Sequence, residues 1–211
     1  MFFCKPKRDF RSLTLEEIKD KTRVLFIDDQ DRKDIIDYLS KSGWKCRQLF
    51  EKDFDTFDSI DIRDSHIICV DINGVGGKLG KNNGLDIVKS IKAGYPNKKQ
   101  IIYSSQSTQD IFHEAVDMAD KKILKSAGDY EVFKNSIEDL AKTIFNWEEM
   151  VHSSYEMVKP YFGVAFTEEK YRKTIEKAGA NKKLTEEQLS SMLKISVGLS
   201  TSIYQWIKLF I

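Results

Sequence analysis

Five short, mostly apolar segments recur between residues 22 and 125, and they constrain the fold more than any other feature. The predicted strands are Val24–Ile27, Trp44–Phe50, Ile67–Val70, Ile101–Tyr103 and Lys122–Leu124. Each is followed by a stretch whose apolar residues recur at three- and four-residue steps, which is typical of amphipathic helices. Five such alternations predict an α/β fold, a doubly wound five-stranded parallel sheet with helices on both faces.

The predicted organisation has three parts. Residues 1–21 form a leader with one short helix, 22–145 form the α/β domain, and 146–211 form a helical region. Within the domain, the predicted helices cover 31–42, 53–60, a segment after Gly84, 108–118 and a segment from Tyr130.

Polar side chains follow four of the five strands at the point where each strand ends. The first strand ends in Asp28 and Asp29, the third in Asp71, the fourth in Ser104 and the fifth in Lys125. The carboxyl ends of parallel strands meet at one edge of the sheet, where ligands bind in such folds. Three carboxylates at one edge repel each other unless a cation joins them, and hard oxygen ligands suit Mg²⁺. A lysine and a hydroxyl beside them suit a phosphoryl group.

The stretches that carry these residues resemble a known family. They read VLFIDDQD, HIICVDINGV, GLDIVKSIK, IIYSSQS and ADKKILKS, and they lie within Thr22–Tyr130, about half of the chain. They look like the receiver domains of two-component response regulators, which implies a flavodoxin-like, CheY-like fold. The resemblance also implies that the chain accepts a phosphoryl group from a histidine kinase or a phosphotransfer protein.

The resemblance implies a role for each polar residue at the strand ends. Asp71 would be the phosphoacceptor, Ser104 the hydroxyl that moves towards the acyl phosphate, and Lys125 the cation that pairs with it. Asp29 would be the more direct Mg²⁺ ligand of the acidic pair, and Asn73 would offer its backbone carbonyl. The implied metal ligands are therefore Asp28, Asp29, Asp71 and Asn73.

The sequence departs from the family pattern around this site. Ser126 stands where the family usually has a proline, Lys122 replaces the usual switch aromatic, and Ser105 replaces a small residue. The glycine-rich connection from residue 74 to 84 is longer than usual. It has a faint likeness to a phosphate-binding Walker loop, but no register places a hydroxyl residue after the required Gly-Lys pair. These departures favour an alternative, a receiver-like adaptor that binds a protein partner without phosphorylation.

From Tyr130 to Val158 apolar residues recur at helical steps, and Pro160 is the first firm stop. A single helix of this length would pair with a second copy as a coiled coil and make the protein a homodimer. Alternatively, two helices or one bent helix would pack this seam against the chain's own C-terminal segment. The residues alone do not favour either arrangement.

The C-terminal third predicts further helices at 165–178 and 184–195 and an apolar, amphipathic last segment, 199–211. The text from Leu184 to Phe210 faintly resembles a helix-turn-helix, with its spacing off by about three residues. This supports a third hypothesis, a DNA-binding regulator. The last segment, however, has no arginine for guanine or phosphate. A helical interaction or dimerisation module is the preferred interpretation.

Composition sets the remaining limits. The formal net charge of the chain is +1, so no whole-protein field attracts it to nucleic acid or acidic membranes. Three widely spaced cysteines, Cys4, Cys46 and Cys69, predict reduced thiols. No apolar stretch is long enough for a signal peptide or a membrane span, so we expect a cytoplasmic protein. Such a regulator assists its own phosphorylation but turns over no metabolite, so we classify it as a non-enzyme.

Overall fold

The computed structural model describes residues 12–50, 53, 56–57, 59–73, 75, 84–95, 97–105, 114–125, 130–162, 166–181 and 183–210. The chain forms two compact units. The first, here called the sheet unit, is Leu15–Lys142. The second, here called the helical unit, comprises Thr143–Ile211, and Leu13 packs against its core.

The sheet unit is built on five parallel strands in the order β2-β1-β3-β4-β5. The three central strands are almost wholly buried, whereas the edge strands β2 and β5 are partly exposed, because helices cover both faces of the centre. This confirms the predicted doubly wound parallel sheet. The strands are β1 Arg23–Asp28, β2 Lys45–Phe50, β3 Ile67–Asp71, β4 Lys99–Ser104 and β5 Lys121–Leu124.

Six helices accompany the sheet among the described residues: α1 Leu15–Lys21, α2 Lys33–Lys41, α3 Ile60–Asp64, α4 Gly84–Gly94, α5 Glu114–Met118 and α6 Tyr130–Ile144, whose last two residues belong to the helical unit. Two differ from the prediction. The helix predicted at 53–60 lies instead at 60–64, because the Ser59 side chain caps it and Ile62 is buried. Helix α1, predicted in a leader, belongs to the sheet unit, since Ile18 is buried and its carbonyl accepts a hydrogen bond from the Thr22 hydroxyl. Residues 108–113, predicted as helix, lie outside the described residues.

The long helix predicted from Tyr130 is interrupted. Helix α6 ends at Ile144, and α7, Trp147–Val158, begins after Asn146, whose side chain accepts hydrogen bonds from the backbone N–H groups of Glu148 and Glu149. An N-cap of this kind starts a new helix, because it satisfies donors that have no partner within the helix. The seam residues Val151 and Val158 are fully buried in the core of the helical unit. The structure therefore follows the alternative in which two helices bury the seam within the chain.

The helical unit continues with a 3₁₀ turn, Lys159–Tyr161, and the helices α8 Glu168–Ala180, α9 Glu186–Leu193 and α10 Val197–Lys208. The end of α9 and the start of α10 both lie two residues earlier than predicted, and three residues separate the two helices. Lys194 makes this short turn in the left-handed conformation, with φ of 55°, directly after the last residue of α9. Among the described residues, no helix is both long enough and apolar enough to cross a membrane.

Candidate functional site

The carboxyl ends of β1 and β3 bring three carboxylates together. Asp28 ends β1, Asp71 ends the neighbouring strand β3, and Asp29 follows Asp28. One oxygen from each carboxylate lies within 4.8 Å of the other two. Asp28 and Asp71 are buried, whereas Asp29 is exposed to solvent. The sequence-predicted acidic cluster is therefore assembled, with its open side at Asp29.

Lys125 enters this cluster from the other side. It follows β5 directly, and its backbone N–H donates a hydrogen bond to the carbonyl of Ser104. Its Nζ lies 2.6 Å from Oδ2 of Asp71 and 3.7 Å from Oδ2 of Asp28. The lysine thus neutralises part of the negative charge of both buried acids, and its side chain is one-fifth exposed.

Asn73 connects the acid to the predicted hydroxyl. Its backbone N–H donates to Oδ1 of Asp71 at 3.1 Å, and its side-chain amide donates to Oγ of Ser104 at 3.0 Å. Ser104 itself is fully buried at the end of β4. A network therefore joins Asp71 to Ser104, although the metal contact predicted for the Asn73 carbonyl stays a prediction.

Two further residues belong to the site, and sequence reasoning missed both. The Tyr103 hydroxyl donates to Oδ2 of Asp28 at 2.7 Å, and Nε of Arg32 donates to the same oxygen at 2.6 Å. Tyr103 is 2% exposed and has the appearance of an ordinary core aromatic in its strand. The only sequence feature that links Arg32 to the site is its position four residues after Asp28. That spacing indicates a contact only if the conformation of the intervening loop is known.

A glycine allows the backbone around Asp71 to pack closely. The first residue of α4, Gly84, lies against the end of β3, and its N–H donates to the carbonyl of Ile72. A Cβ on Gly84 would lie 1.9 Å from the carbonyl oxygen of Asp71, a distance that no side chain can occupy. The glycine-rich connection therefore ends in a residue that only glycine can fill without moving Asp71. Its residues 74 and 76–83, including the Walker-like text, lie outside the described residues, as does Ser126.

Comparisons with known proteins yield matches among solved structures. No protein-family model matches the sequence, and no curated protein matches it. The response regulator TrrA of Thermotoga maritima, in complex with Mg²⁺-BeF, is 18% identical, with 56% of this chain and 98% of that chain covered and a TM-score of 0.43. Full-length FixJ of B. japonicum is 14% identical, with 89% and 88% covered and a TM-score of 0.47. RcsB of Salmonella enterica serovar Typhimurium, bound to a promoter, is 16% identical, with 90% and 92% covered and a TM-score of 0.42.

At these identities and TM-scores, no activity or partner is transferred from those proteins, and the sheet itself defines the fold. The order β2-β1-β3-β4-β5 is the flavodoxin-like order that CheY shares. The sheet unit has the fold of a receiver domain. In this receiver fold, the carboxylates lie outside the carboxyl ends of β1 and β3, where the strand order reverses and where such sheets bind ligands.

Burial and hydrogen bonding shift the pKa values of the two buried acids in opposite directions. For Asp28, burial favours the neutral form, but hydrogen bonds from Arg32, the Gln30 N–H and Tyr103 outweigh it, so its pKa is lowered. For Asp71, burial dominates and the charge of Asp28 adds to it, so its pKa is raised despite the hydrogen bond from Lys125. A cation at this edge would favour the ionised form of Asp71.

The donor set of this receiver fold fits Mg²⁺. Carboxylate oxygens from Asp28, Asp29 and Asp71 lie close enough together to contact one ion. Mg²⁺ is usually bound by one or two carboxylates together with water and phosphate oxygens. Among the described residues, the cations that contact these acids are Arg32 and Lys125, and these two leave one unit of the negative charge of the three acids unbalanced. The arrangement can therefore accept a divalent cation and, with it, an anionic phosphoryl group.

Proposed function

We propose that this chain is a signal-transduction response regulator that accepts a phosphoryl group on Asp71 from a phosphohistidine of a kinase or phosphotransfer protein. The observation that carries the proposal is the position of Asp71. Its carboxylate lies at the edge formed by the carboxyl ends of the strands, between a lysine at 2.6 Å and two further carboxylates. A lone structural ion pair would not need the two additional acids.

In the proposed reaction, one carboxylate oxygen of Asp71 attacks the phosphorus atom. A P–O bond forms as the P–N bond to the donor histidine breaks, and the imidazole leaves with the electron pair and takes up a proton. Mg²⁺ held by Asp28, Asp29 and Asp71, with the carbonyl of Asn73, would neutralise the phosphoryl oxygens. Lys125 already contacts Asp71 and can pair with the same oxygens.

The network from Asp71 to β4 supplies a route for the signal. Ser104 accepts a hydrogen bond from the Asn73 amide. An acyl phosphate on Asp71 would offer oxygens to the Ser104 hydroxyl and so change this contact. Such a local change shifts a receiver between two states only if they differ in these contacts. We infer that the Asn73–Ser104 contact is one of those that differ.

The direct test is chemical phosphorylation of the purified protein. Wild-type protein, Asp71→Asn and Asp117→Asn are incubated with Mg²⁺ and acetyl phosphate, and the intact mass is measured. Asp117 is a suitable control because it is an exposed acid that pairs with Lys122. We expect one phosphoryl group on the wild type and on Asp117→Asn, and none on Asp71→Asn. An unmodified wild type, or equal modification of Asp71→Asn, would refute phosphorylation of Asp71.

A second candidate function is the phosphorylation-independent adaptor. It is favoured by Arg32 and Lys125, because two protein cations already balance most of the acidic charge without any metal. Two results together would support this candidate. The wild type would take up no phosphoryl group, and Asp71→Asn would bind a protein partner with the same affinity as the wild type.

The helical unit is the proposed output region, and the α9–α10 pair favours DNA as one target. The three-residue connection, with Lys194 left-handed, has the length of the turn in a helix-turn-helix. The sequence after Lys142, however, contains nine Lys and Arg residues and eight Asp and Glu residues. This region therefore lacks the strong positive charge that attracts nucleic acid. Retarded migration of duplex DNA that weakens steeply with salt would support this target. A salt-independent protein contact would support an interaction module instead.

A homodimer through the C-terminal helices is also part of the proposal. Since the α7 seam is buried within the chain, such a dimer would use other side chains, among which Tyr161 and Met192 are large and exposed. Sedimentation of the protein with and without beryllofluoride tests this. A monomer under both conditions would exclude dimerisation as the output.

A further inference from the structure

Oxygen Oδ2 of Asp28 has more protein partners than a carboxylate oxygen needs if its only role is to bind a metal. It accepts hydrogen bonds from Arg32 Nε at 2.6 Å and from the Tyr103 hydroxyl at 2.7 Å, and Lys125 Nζ lies 3.7 Å away. The Asp28 side chain is completely buried, whereas that of Arg32 is about one-quarter exposed. A charged donor that reaches a buried carboxylate from the solvent side stabilises it in the way a bound cation would.

The backbone that carries Arg32 is held independently of its side chain. The Arg32 N–H donates to Oε1 of Gln48 on β2 at 2.8 Å, and Nε2 of Gln48 donates to the carbonyl of Gln30 at 2.6 Å. The Gln30 N–H in turn donates to Oδ1 of Asp28 at 2.8 Å. Because these contacts fix the loop through its backbone, the guanidinium can leave Asp28 without the loop unfolding.

We propose that Arg32 is an internal counter-ion that occupies Asp28 in the metal-free protein and gives it up when a divalent cation binds. The inference rests on the proposed function, since it concerns the same acidic cluster. Arg32 thereby lowers the affinity of the site for Mg²⁺ and balances the buried charge of Asp28 in the metal-free protein. By reciprocity, bound Mg²⁺ weakens the contact between Arg32 and Asp28 by the same factor.

The surroundings offer the displaced guanidinium another position. A pocket of about 150 Å³ lies beside the site, between α2 and α6, and both Arg32 and Lys125 line it. Two carboxylates, Asp31 and Asp34, line it as well, and the ring of Phe133 on α6 forms part of its wall. An arginine that leaves Asp28 can therefore pair with a carboxylate at the pocket and stack on an aromatic ring. The exchange would change the surface between α2 and α6.

The proposal is tested by measuring Mg²⁺ affinity, which does not depend on phosphorylation. Full-length wild type, Arg32→Gln and Arg47→Gln are titrated with MgCl₂ in a calorimeter at constant ionic strength. Arg47→Gln is the matched control, because it removes the same charge from an arginine that pairs with a carboxylate, Asp61, away from the site. We expect Arg32→Gln to bind Mg²⁺ about tenfold more tightly, the order expected when a unit charge leaves the vicinity of a divalent ion in a water-like dielectric. Arg47→Gln should bind as the wild type does.

A second measurement uses the wild type alone, in case Arg32→Gln does not fold. The Nε–H resonance of Arg32 should be visible and protected from exchange with water in the metal-free protein, and should be lost or shifted at saturating Mg²⁺. An unchanged resonance at saturation would overturn the proposal.

The outcomes separate this inference from the proposed function. If wild type binds Mg²⁺ and is phosphorylated but Arg32→Gln binds no more tightly, Arg32 is only a positioning residue for Asp28 and the counter-ion proposal fails alone. If neither protein binds Mg²⁺ and no phosphoryl group is taken up, both proposals fail. Tighter binding in Arg32→Gln without phosphorylation would support the counter-ion and refute the acceptor role.

Discussion

Replacement of Gly84 by alanine tests the close approach of α4 to β3, the strand that ends in Asp71. The added Cβ would lie 1.9 Å from the carbonyl oxygen of Asp71, 2.9 Å from its carbonyl carbon and 3.1 Å from Cα of Ile72. Favourable contacts between heavy atoms begin at about 3.5 Å, so the backbones must separate by more than about 1 Å. All three atoms belong to the backbone, and therefore no side-chain rotation relieves the overlap.

The expected free energy follows from two opposing effects. Overpacking of a dense region costs about 1–3 kcal/mol, and this overlap falls at the upper end of that range. Alanine in place of a helical glycine contributes about 0.5–1 kcal/mol in the opposite direction. We therefore expect Gly84→Ala to lower the free energy of unfolding by about 2 kcal/mol. We also expect slower phosphorylation, because the displaced backbone carries Asp71.

The same helix contains the control. Gly94 is the last residue of α4, and a Cβ there would meet no atom within 4 Å. Gly94→Ala should therefore be neutral or slightly stabilising. Urea unfolding followed by circular dichroism measures both variants. With an m-value of about 1–3 kcal/mol per molar, the midpoint of Gly84→Ala should fall by roughly 1 M. A midpoint equal to that of the wild type or of Gly94→Ala would refute the close-approach reasoning.

Three further predictions concern polar side chains that the structure places in hydrogen bonds. Burial lowers the pKa of His66 to about 4. Between about pH 6.5 and pH 4, His66 is therefore protonated in the unfolded chain but neutral in the folded protein. The free energy of unfolding should thus fall by up to about 3 kcal/mol as the pH drops from 7 to 4, and His66→Gln should flatten that slope in urea titrations; an equal slope would contradict the assignment. Tyr103→Phe removes a hydrogen bond to the ionised, buried Asp28 and should cost about 1.5–3 kcal/mol at pH 7 in the same assay. The pKa of Asp28 is lowered, so the stabilisation that the ionised Asp28 provides should disappear as the pH falls through that pKa. Equal urea midpoints for Tyr103→Phe and the wild type at pH 7 would show that the hydrogen bond contributes nothing. Asn146→Ala removes the cap of α7 and should cost about 1 kcal/mol, with Asn146→Asp as a variant that retains the cap and the stability.

Sequence reasoning located the main acids of the site because they depend on a rule of sheet geometry. Asp28 and Asp71 are the last residues of their strands and Lys125 follows its strand directly, and parallel strands direct their carboxyl ends to one edge. Knowledge of the strand boundaries was therefore enough to expect that these side chains meet.

Helix boundaries were less predictable. Apolar residues continue at helical steps through the break between α6 and α7, because each helix buries apolar residues of its own, such as Ile137 in α6 and Val151 in α7. The side chain of Asn146 decides the break, and an asparagine within a helical pattern is a weak signal without its hydrogen bonds. The predicted start of α10 was wrong because the turn before it is made by Lys194, and lysine does not usually indicate a left-handed turn.

The sequence by itself thus determined the parallel sheet, the edge at which the carboxylates gather and the choice of Asp71 as the proposed acceptor. Only the tertiary structure decided how that acceptor is surrounded. Arg32 reaches Asp28 from a loop, and Tyr103 reaches it from β4, on the far side of β3. Gly84 approaches Asp71 through its backbone. These contacts depend on the path of a folded loop and on distances of a few ångströms between segments that are mostly far apart in the chain, and no local periodicity records them.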